Sequence, residues 1–283
     1  MKPLNLALLL LPFTSKAIAQ EISLFPQGQL KEPITYIEKD DWQGNKVGGQ
    51  AVCRKTDVGE PTLTIYKAGR PTRDNMTIIV CPGGGYNLLA YDLEGTEICK
   101  MLNDEGYNAA LLKYRVPRRP NREKHQAPLE DLQRAISLLR SCGKEYGVGT
   151  DQIGVMGFSA GAHLTVASCC NNRSYTPIDQ VDTASHYPDF CVLIYPAYLS
   201  GDKFELADDV SVGSTTPPTF IAQSQDDKQH INSSLFYYYA LKEAGVKATL
   251  HVYNSGGHGY GIRKTGSSSQ EWYREFLKWL EQI

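Results

Sequence analysis

From position 62 onward, short apolar and β-branched runs recur along the chain, at 62–66, 77–81, 108–114, 153–156, 190–195, 219–224 and 248–253. Near-continuous runs of this length read as strands buried on both faces. Between most of them the apolar spacing changes to three and four. Leu129, Leu132, Ile136 and Leu139 follow Pro128, a residue suited to a first helical turn. A second helix is expected over 233–244, with Asn232 as its cap and Gly245 as its stop. Ser268 and Glu271 have capping-box spacing ahead of Trp272, Phe276 and Leu280. Alternating strands and helices predict an α/β protein, a mostly parallel central sheet with helices on both faces. In such a sheet the loops at the carboxyl ends of the strands carry the chemistry. The long irregular stretches 115–127, 171–189 and 196–217 are candidate pocket walls. Residues 20–60 are polar and read as a leader strand and loops, ahead of a catalytic domain at 61–283.

The first residues follow a different pattern. Lys2 precedes an apolar run from Leu4 to Phe13, and Ala17-Ile18-Ala19 matches an A-x-A cleavage site. This is the form of a secretory signal peptide spanning 1–19, too short for the roughly 20 apolar residues that cross a bilayer. The expectation is an exported chain, periplasmic or secreted, with no membrane attachment after cleavage. Lys2 and Lys16 leave with the signal, so 29 Lys+Arg become 27 against 31 Asp+Glu and the net charge moves from -2 to -4. That balance supplies no electrostatic reason to bind nucleic acid. Export makes the 7 cysteines relevant. Cys81, Cys169, Cys170 and Cys191 fall in expected strands or helices, where cysteine serves as a small hydrophobe, and one disulfide stays open. No C-x-x-C is present and no histidine pair falls at helical or zinc-finger distance with a cysteine, so no metal and no cofactor are expected. The basic run Arg115, Arg118, Arg119, Arg122 and Lys124, broken by two prolines, reads as a solvated loop.

Gly157-Phe158-Ser159-Ala160-Gly161 is a G-x-S-x-G placed between an expected strand and an expected helix. Small neighbours two residues either side let the backbone turn sharply and lift the Ser159 hydroxyl into a pocket, as a nucleophile requires. An acyl-transfer serine also needs donors for the developing oxyanion. Pro82-Gly83-Gly84-Gly85-Tyr86 supplies them, with the amides of Gly84, Gly85 and Ala160 as the expected oxyanion hole. A phosphate loop is the rival reading, but the lysine of that motif is missing. Among six histidines, His258 in Gly256-Gly257-His258-Gly259 lies just beyond the last strand and is the expected base; His163 is expected to pack inside. The acid follows the strand at 219–224, where Asp227 is favoured and Asp226 held in reserve.

The chain order Ser159, Asp227, His258 is that of α/β-hydrolases. The segments Cys81-Pro82-Gly83-Gly84-Gly85-Tyr86, Asp92-Leu93-Glu94-Gly95, Tyr114-Arg115-Val116-Pro117, Gly157 to Leu164 and Gly256 to Gly261 together resemble the secreted bacterial α/β-hydrolases described as acetylxylan esterases or xylanase-associated esterases. The resemblance runs from about residue 62 to the end of the sequence. It implies a single-domain α/β-hydrolase that cleaves carboxylic esters through an acyl-serine, with an acetylated xylan polysaccharide or oligosaccharide as substrate. Feruloyl ester hydrolysis, peptide hydrolysis and a catalytically silent carbohydrate-binding role remain alternatives. Two departures stand out: Pro82 replaces the histidine of the H-G-G-G form, and Gln223-Ser224 stands where many relatives have His-Gly. Tyr86 and Tyr260, beside the oxyanion loop and the base, are candidate faces for binding sugar rings. Asp131 and Arg134, resembling a recurring D-x-x-R pair, are expected to be a structural pair on one helix.

Overall fold

A computed structural model describes residues 19–30, 35–73, 75–202 and 205–283; the apolar run and most of the cleavage motif, including Ala17 and Ile18, lie outside them. Eleven strands and five α-helices follow one another as β1 (Ala19–Ser23), β2 (Lys39–Asp41), β3 (Arg54–Thr56), β4 (Thr62–Tyr66), β5 (Met76–Cys81), β6 (Leu89–Ala90), α1 (Glu97–Asp104), β7 (Asn108–Lys113), α2 (Gln126–Cys142), β8 (Gln152–Phe158), α3 (Ala160–Cys170), β9 (Phe190–Ile194), β10 (Thr219–Ser224), α4 (Ile231–Glu243), β11 (Ala248–Tyr253) and α5 (Trp272–Leu280) among the described residues. Eight strands form the main sheet in the order β1-β4-β7-β5-β8-β9-β10-β11. The last six run parallel, while β4 is antiparallel to both β7 and β1. A small antiparallel sheet of β2, β3 and β6 sits apart. This is the α/β-hydrolase fold.

The period-2 geometry of a strand explains why the buried strands show no polar alternation. All six residues of β5 are buried. Ile79 and Cys81 pack in one cluster with Leu132 and Ile136 of α2 and Leu164 of α3, while Ile78 and Val80 pack in another with Ile98 of α1 and Trp272 and Phe276 of α5. A third cluster joins Cys191 and Ile221 to Val166 of α3 and Tyr237 of α4. All seven cysteines are free thiols; Cys81 and Cys191 are buried, and the Cys169 and Cys191 sulfurs meet at 3.3 Å. No helix among the described residues is long and apolar enough to cross a membrane.

Several local expectations are corrected. The Ser268–Glu271 capping box does not form, because the Ser268 hydroxyl pairs with the Ser255 backbone instead and Glu271 makes no side-chain cap bond to α5. Asn232 lies inside α4 and His230 takes the cap position. The basic run is not a solvated loop. Arg115 is buried, with its guanidinium on Asp131 at 2.8 Å and Glu130 at 2.8 Å, and Arg119 is buried on the Val58 and Pro117 carbonyls. Asp131 and Arg134 therefore do not serve each other. Asp131 is taken by Arg115, and Arg134 reaches Asp179 and Asp182 in the loop after α3. Burial pushes the Asp131 carboxyl up, and the Arg115 charge and hydrogen bonds oppose that rise. Removing one partner of a buried pair strands the other, at a cost of about 3–5 kcal/mol. Asp131→Ala and Arg115→Ala are each expected to lower the unfolding free energy, read from urea titration, by that scale, and Asp131→Leu with Arg115→Met to lower it less. Equal losses in the single and paired replacements would show that the charge pairing is irrelevant.

Candidate active site

The carboxyl ends of β5, β8, β9, β10 and β11 meet along one edge of the sheet, and the expected functional residues leave from there. Ser159 follows β8 with φ 52 and ψ −116, a left-handed conformation that costs a non-glycine residue about 1–3 kcal/mol. Packing on both sides enforces it. The Ser159 amide donates to the Ile194 carbonyl at 3.0 Å, and the Ser159 carbonyl accepts from Ala197 at 3.2 Å. A Cβ on Gly157 would strike the Gly161 carbonyl, and one on Gly161 would strike the Cys81 carbonyl of the neighbouring strand, so the two glycines of the motif are required by backbone contact.

Ser159 Oγ lies 2.7 Å from His258 Nε2, and His258 Nδ1 lies 2.7 Å from Asp227 Oδ2. Asp227 is buried, while the His258 side chain is about one-third exposed. Asp226 is spent elsewhere. Its carboxylate accepts from the amides of Gly256 at 3.2 Å and Gly257 at 2.8 Å, which holds the loop that carries His258. Gly84 and Gly85 have φ of 136° and 64°. Among the described residues the amides of Gly84, Gly85 and Ala160 have no protein acceptor, and Ala160 opens α3, where helix N–H groups face an anion. The Gly83 amide is excluded from that group, since it donates to Glu94 at 2.6 Å. Pro82 keeps the loop fixed through its carbonyl, which accepts from the Tyr114 hydroxyl at 2.6 Å.

Tyr86 and Tyr260 do not face a substrate. Tyr86 is 0% exposed with its hydroxyl 2.7 Å from His163 Nδ1, and Tyr260 is 2% exposed against Tyr195. Both loops turn these rings into the core, because each is the apolar residue that anchors an otherwise glycine-rich segment. Two aromatic residues at the carboxyl edge take the accessible positions. Tyr198, in a left-handed conformation at φ 62, is half-buried, and its hydroxyl stands 3.4 Å from where a Gly85 Cβ would be. The His230 ring lies 4.7 Å from the His258 ring and 6.1 Å from Tyr198. Lys124 crosses the Tyr198 ring at 4.6 Å. Their shared signal is their position in the loops after β7, β9 and β10, which the topology brings together but spacing in the chain does not.

Behind this surface, the buried His125 and His163 and the partly exposed Asp209 converge from three distant segments, with their ligand atoms within 4.8 Å of one another. Such a set offers two imidazoles and a carboxylate to a cation. The contacts are those of a hydrogen-bonded chain, however: Tyr86 to His163, then His163 Nε2 to Asp209 Oδ2 at 3.2 Å, with the Lys124 ammonium 3.7 Å from the same oxygen. Burial holds both histidines below their ordinary value, and the His163 hydrogen bond holds the Asp209 carboxyl well below the carboxylate range.

The comparisons with known proteins bear on the same surface. The BD-FAE family model matches residues 63–192 and the prolyl oligopeptidase family model residues 198–283. A solved acetyl ester-xyloside bifunctional hydrolase from Caldicellulosiruptor lactoaceticus is 32% identical, with a TM-score of 0.67 over 79% of this chain and 88% of that one. The chain belongs to the α/β-hydrolase family. Among curated relatives, an acetylxylan esterase of Xylanibacter ruminicola is 25% identical over 81% of this chain, and an endo-1,4-beta-xylanase B of Butyrivibrio fibrisolvens is 26% identical over 83%. This chain spans 49% and 40% of those two proteins. The esterase of Thermogutta terrifontis shares the α/β-hydrolase fold at 22% identity, with a TM-score of 0.65 over 79% of this chain and 88% of that one.

The buried histidine cluster sets a pH dependence of stability. The folded chain keeps His125 and His163 neutral, while the unfolded chain takes up protons from about pH 6.5 downward. Their contribution is therefore complete above that value and lost as pH falls through the lower folded values. Between pH 7.5 and 5.0 the melting temperature is expected to fall less in His125→Asn than in the parent chain. An identical fall in both would contradict this assignment.

Proposed function

We propose that this α/β-hydrolase cleaves small-acyl carboxylic esters, acetyl groups on xylan-type carbohydrate above all, through an acyl-serine intermediate. The observation that carries the reading is the continuous chain from Ser159 Oγ through His258 to Asp227, with both links at 2.7 Å. His258 Nε2 takes the proton as Ser159 Oγ bonds to the carbonyl carbon. The carbonyl oxygen becomes an oxyanion beside the amides of Gly84, Gly85 and Ala160. When the C–O bond to the sugar breaks, His258 returns the proton to the departing alcohol. Water then repeats the sequence, releasing the acid and the free serine. Asp227 holds the imidazole with Nδ1 protonated and stabilises its charged form. No step calls on a cofactor.

The ring placed to face a sugar is Tyr198, partly exposed beside Gly85, and not the buried Tyr86 or Tyr260. The xylan assignment draws on the relatives' names, on the acetyl ester-xyloside hydrolase at 32% identity and on the resemblance in the motifs. Residues 61–283 form the catalytic unit in this reading, and the leader before them follows an export signal at 1–19. A peptidase reading takes its support from the match of residues 198–283 to the prolyl oligopeptidase family, since the same three side chains can cleave an amide.

Ser159→Ala is expected to stay folded and lose at least about 10³ in turnover. Asp227→Asn should be severely impaired and Asp226→Asn mildly, because Asp226 supports the loop and not the imidazole. Near-parental hydrolysis by folded Ser159→Ala would end the serine mechanism, and the reverse order of the two aspartates would move the acid to Asp226.

A substrate panel separates the rival readings. We expect kcat/KM to favour 4-nitrophenyl acetate over the octanoate, and acetate release from xylo-oligosaccharides to exceed ferulate release at equal ester concentration. A preference for octanoate, ferulate or a peptide would replace the acetyl assignment. Failure to label with a serine-directed fluorophosphonate would favour a silent binding protein.

A further inference from the structure

One buried acid at the catalytic edge is unused by this mechanism. Glu94 lies in a single π-helical turn, Asp92–Thr96, that leads into α1, and it is 3% exposed. Among the described residues no lysine or arginine pairs with it; its partners are two donors from opposite sides of the site. Oε2 accepts from the Gly83 amide at 2.6 Å, one residue before the expected oxyanion donors. Oε1 accepts from the Tyr195 hydroxyl at 2.8 Å, and that hydroxyl in turn accepts from the Gly261 amide at 3.2 Å. The Tyr195 ring packs edge-on against the His258 imidazole at 5.0 Å. A Cβ placed on Gly83 would lie 2.8 Å from both Glu94 Oε2 and Ser159 Cβ, so the carboxylate stands directly behind the nucleophile.

We infer that Glu94 is a positioning residue, which ties the oxyanion loop at Gly83 to the histidine loop at Gly261 through Tyr195 and so fixes the distance between the oxyanion donors and the base. An ionised carboxylate is acceptor-only and can serve both donors. A protonated carboxyl, or an amide, has one oxygen free to accept in full and must turn a donor toward the other partner. Leaving a buried donor without its acceptor costs about 1–3 kcal/mol, which loosens one of the two loops. Burial pushes the Glu94 carboxyl above its ordinary value, opposed by the Tyr195 and Gly83 hydrogen bonds and the charge of His258. The groups that face it are Tyr195 from the end of β9, Tyr114 from the end of β7 and His258 from the loop after β11. A carboxyl raised in this way takes up its proton more readily than a free one, and the acceptor that serves both donors is lost with its charge.

This inference rests on the esterase reading, and the experiment tests the two separately. Hydrolysis of 4-nitrophenyl acetate by the parent chain and its loss in Ser159→Ala report on that reading alone. With both in hand, Glu94→Gln is expected to lower kcat about 10- to 100-fold with KM within about 3-fold, at a temperature well below its melting point. The acid limb of log kcat/KM should be less steep in Glu94→Gln than in the parent chain. Tyr195→Phe, which keeps the ring, should lower kcat by a smaller factor, and the double variant should be no worse than Glu94→Gln. Parental kcat in folded Glu94→Gln, an unchanged acid slope, or additive losses in the double variant would overturn the inference. Should Glu94→Gln fail to fold, Tyr195→Phe decides alone: parental kcat overturns the tie and a reduced kcat at constant KM supports it.

Discussion

Backbone must touch backbone where β5 and β8 end side by side. The Cys81 carbonyl occupies the space a side chain on Gly161 would need, and the Gly161 carbonyl does the same to Gly157. That contact forces the chain from strand to helix within one residue, and Ser159 absorbs the turn in a left-handed conformation. The hydroxyl is thereby presented at the sheet edge, the start of α3 points its free amides the same way, and the glycine loop after β5 lies alongside. Ser159 and the glycine loop thus share one origin, and the strain at Ser159 is sustained by hydrogen bonds to Ile194 and Ala197.

His258 and Asp227 come from further along the sheet and need separate means of registration. Parallel pairing of β10 with β11 aligns Ser224 with Tyr253, which brings the loops after them together. Asp227 then meets His258, and the adjacent Asp226 closes the glycine-rich loop by binding two of its amides. Two neighbouring carboxylates thus do different work because one points to an imidazole and the other to a backbone. Tyr195 and Glu94 extend the same principle across the site, with a buried polar chain where an apolar contact would leave the loops free to slide.

Charge is buried elsewhere for a structural purpose. Arg115 with Asp131 and Glu130, and Arg134 with Asp179 and Asp182, pin the loop after β7 and the loop after α3 to helix α2. The relatives of this chain include proteins about twice its length that share the same unit, and a catalytic edge assembled within one sheet suits a unit that occurs in larger proteins.

The sequence by itself determined the alternation of strands and helices, because burial on both faces writes continuous apolar runs, and β10 begins and ends where such a run does. It also singled out Ser159, Asp227 and His258, since each follows a strand and the glycines around two of them have no other use. What it could not rank were contacts between residues far apart in the chain. Tyr86 and Tyr260 are adjacent to functional loops in sequence yet face the core, whereas Tyr198 and His230 reach the surface of the site. Asp131 and Arg134 have the spacing of a helix pair, but each finds a partner on another element with better geometry than a neighbour one turn away can offer. Glu94 lies in a segment that carries the resemblance, yet the segment assigns it no role; its environment is made by Gly83, Tyr195 and Gly261, whose separations of 11, 101 and 66 residues along their hydrogen bonds only the folded sheet closes.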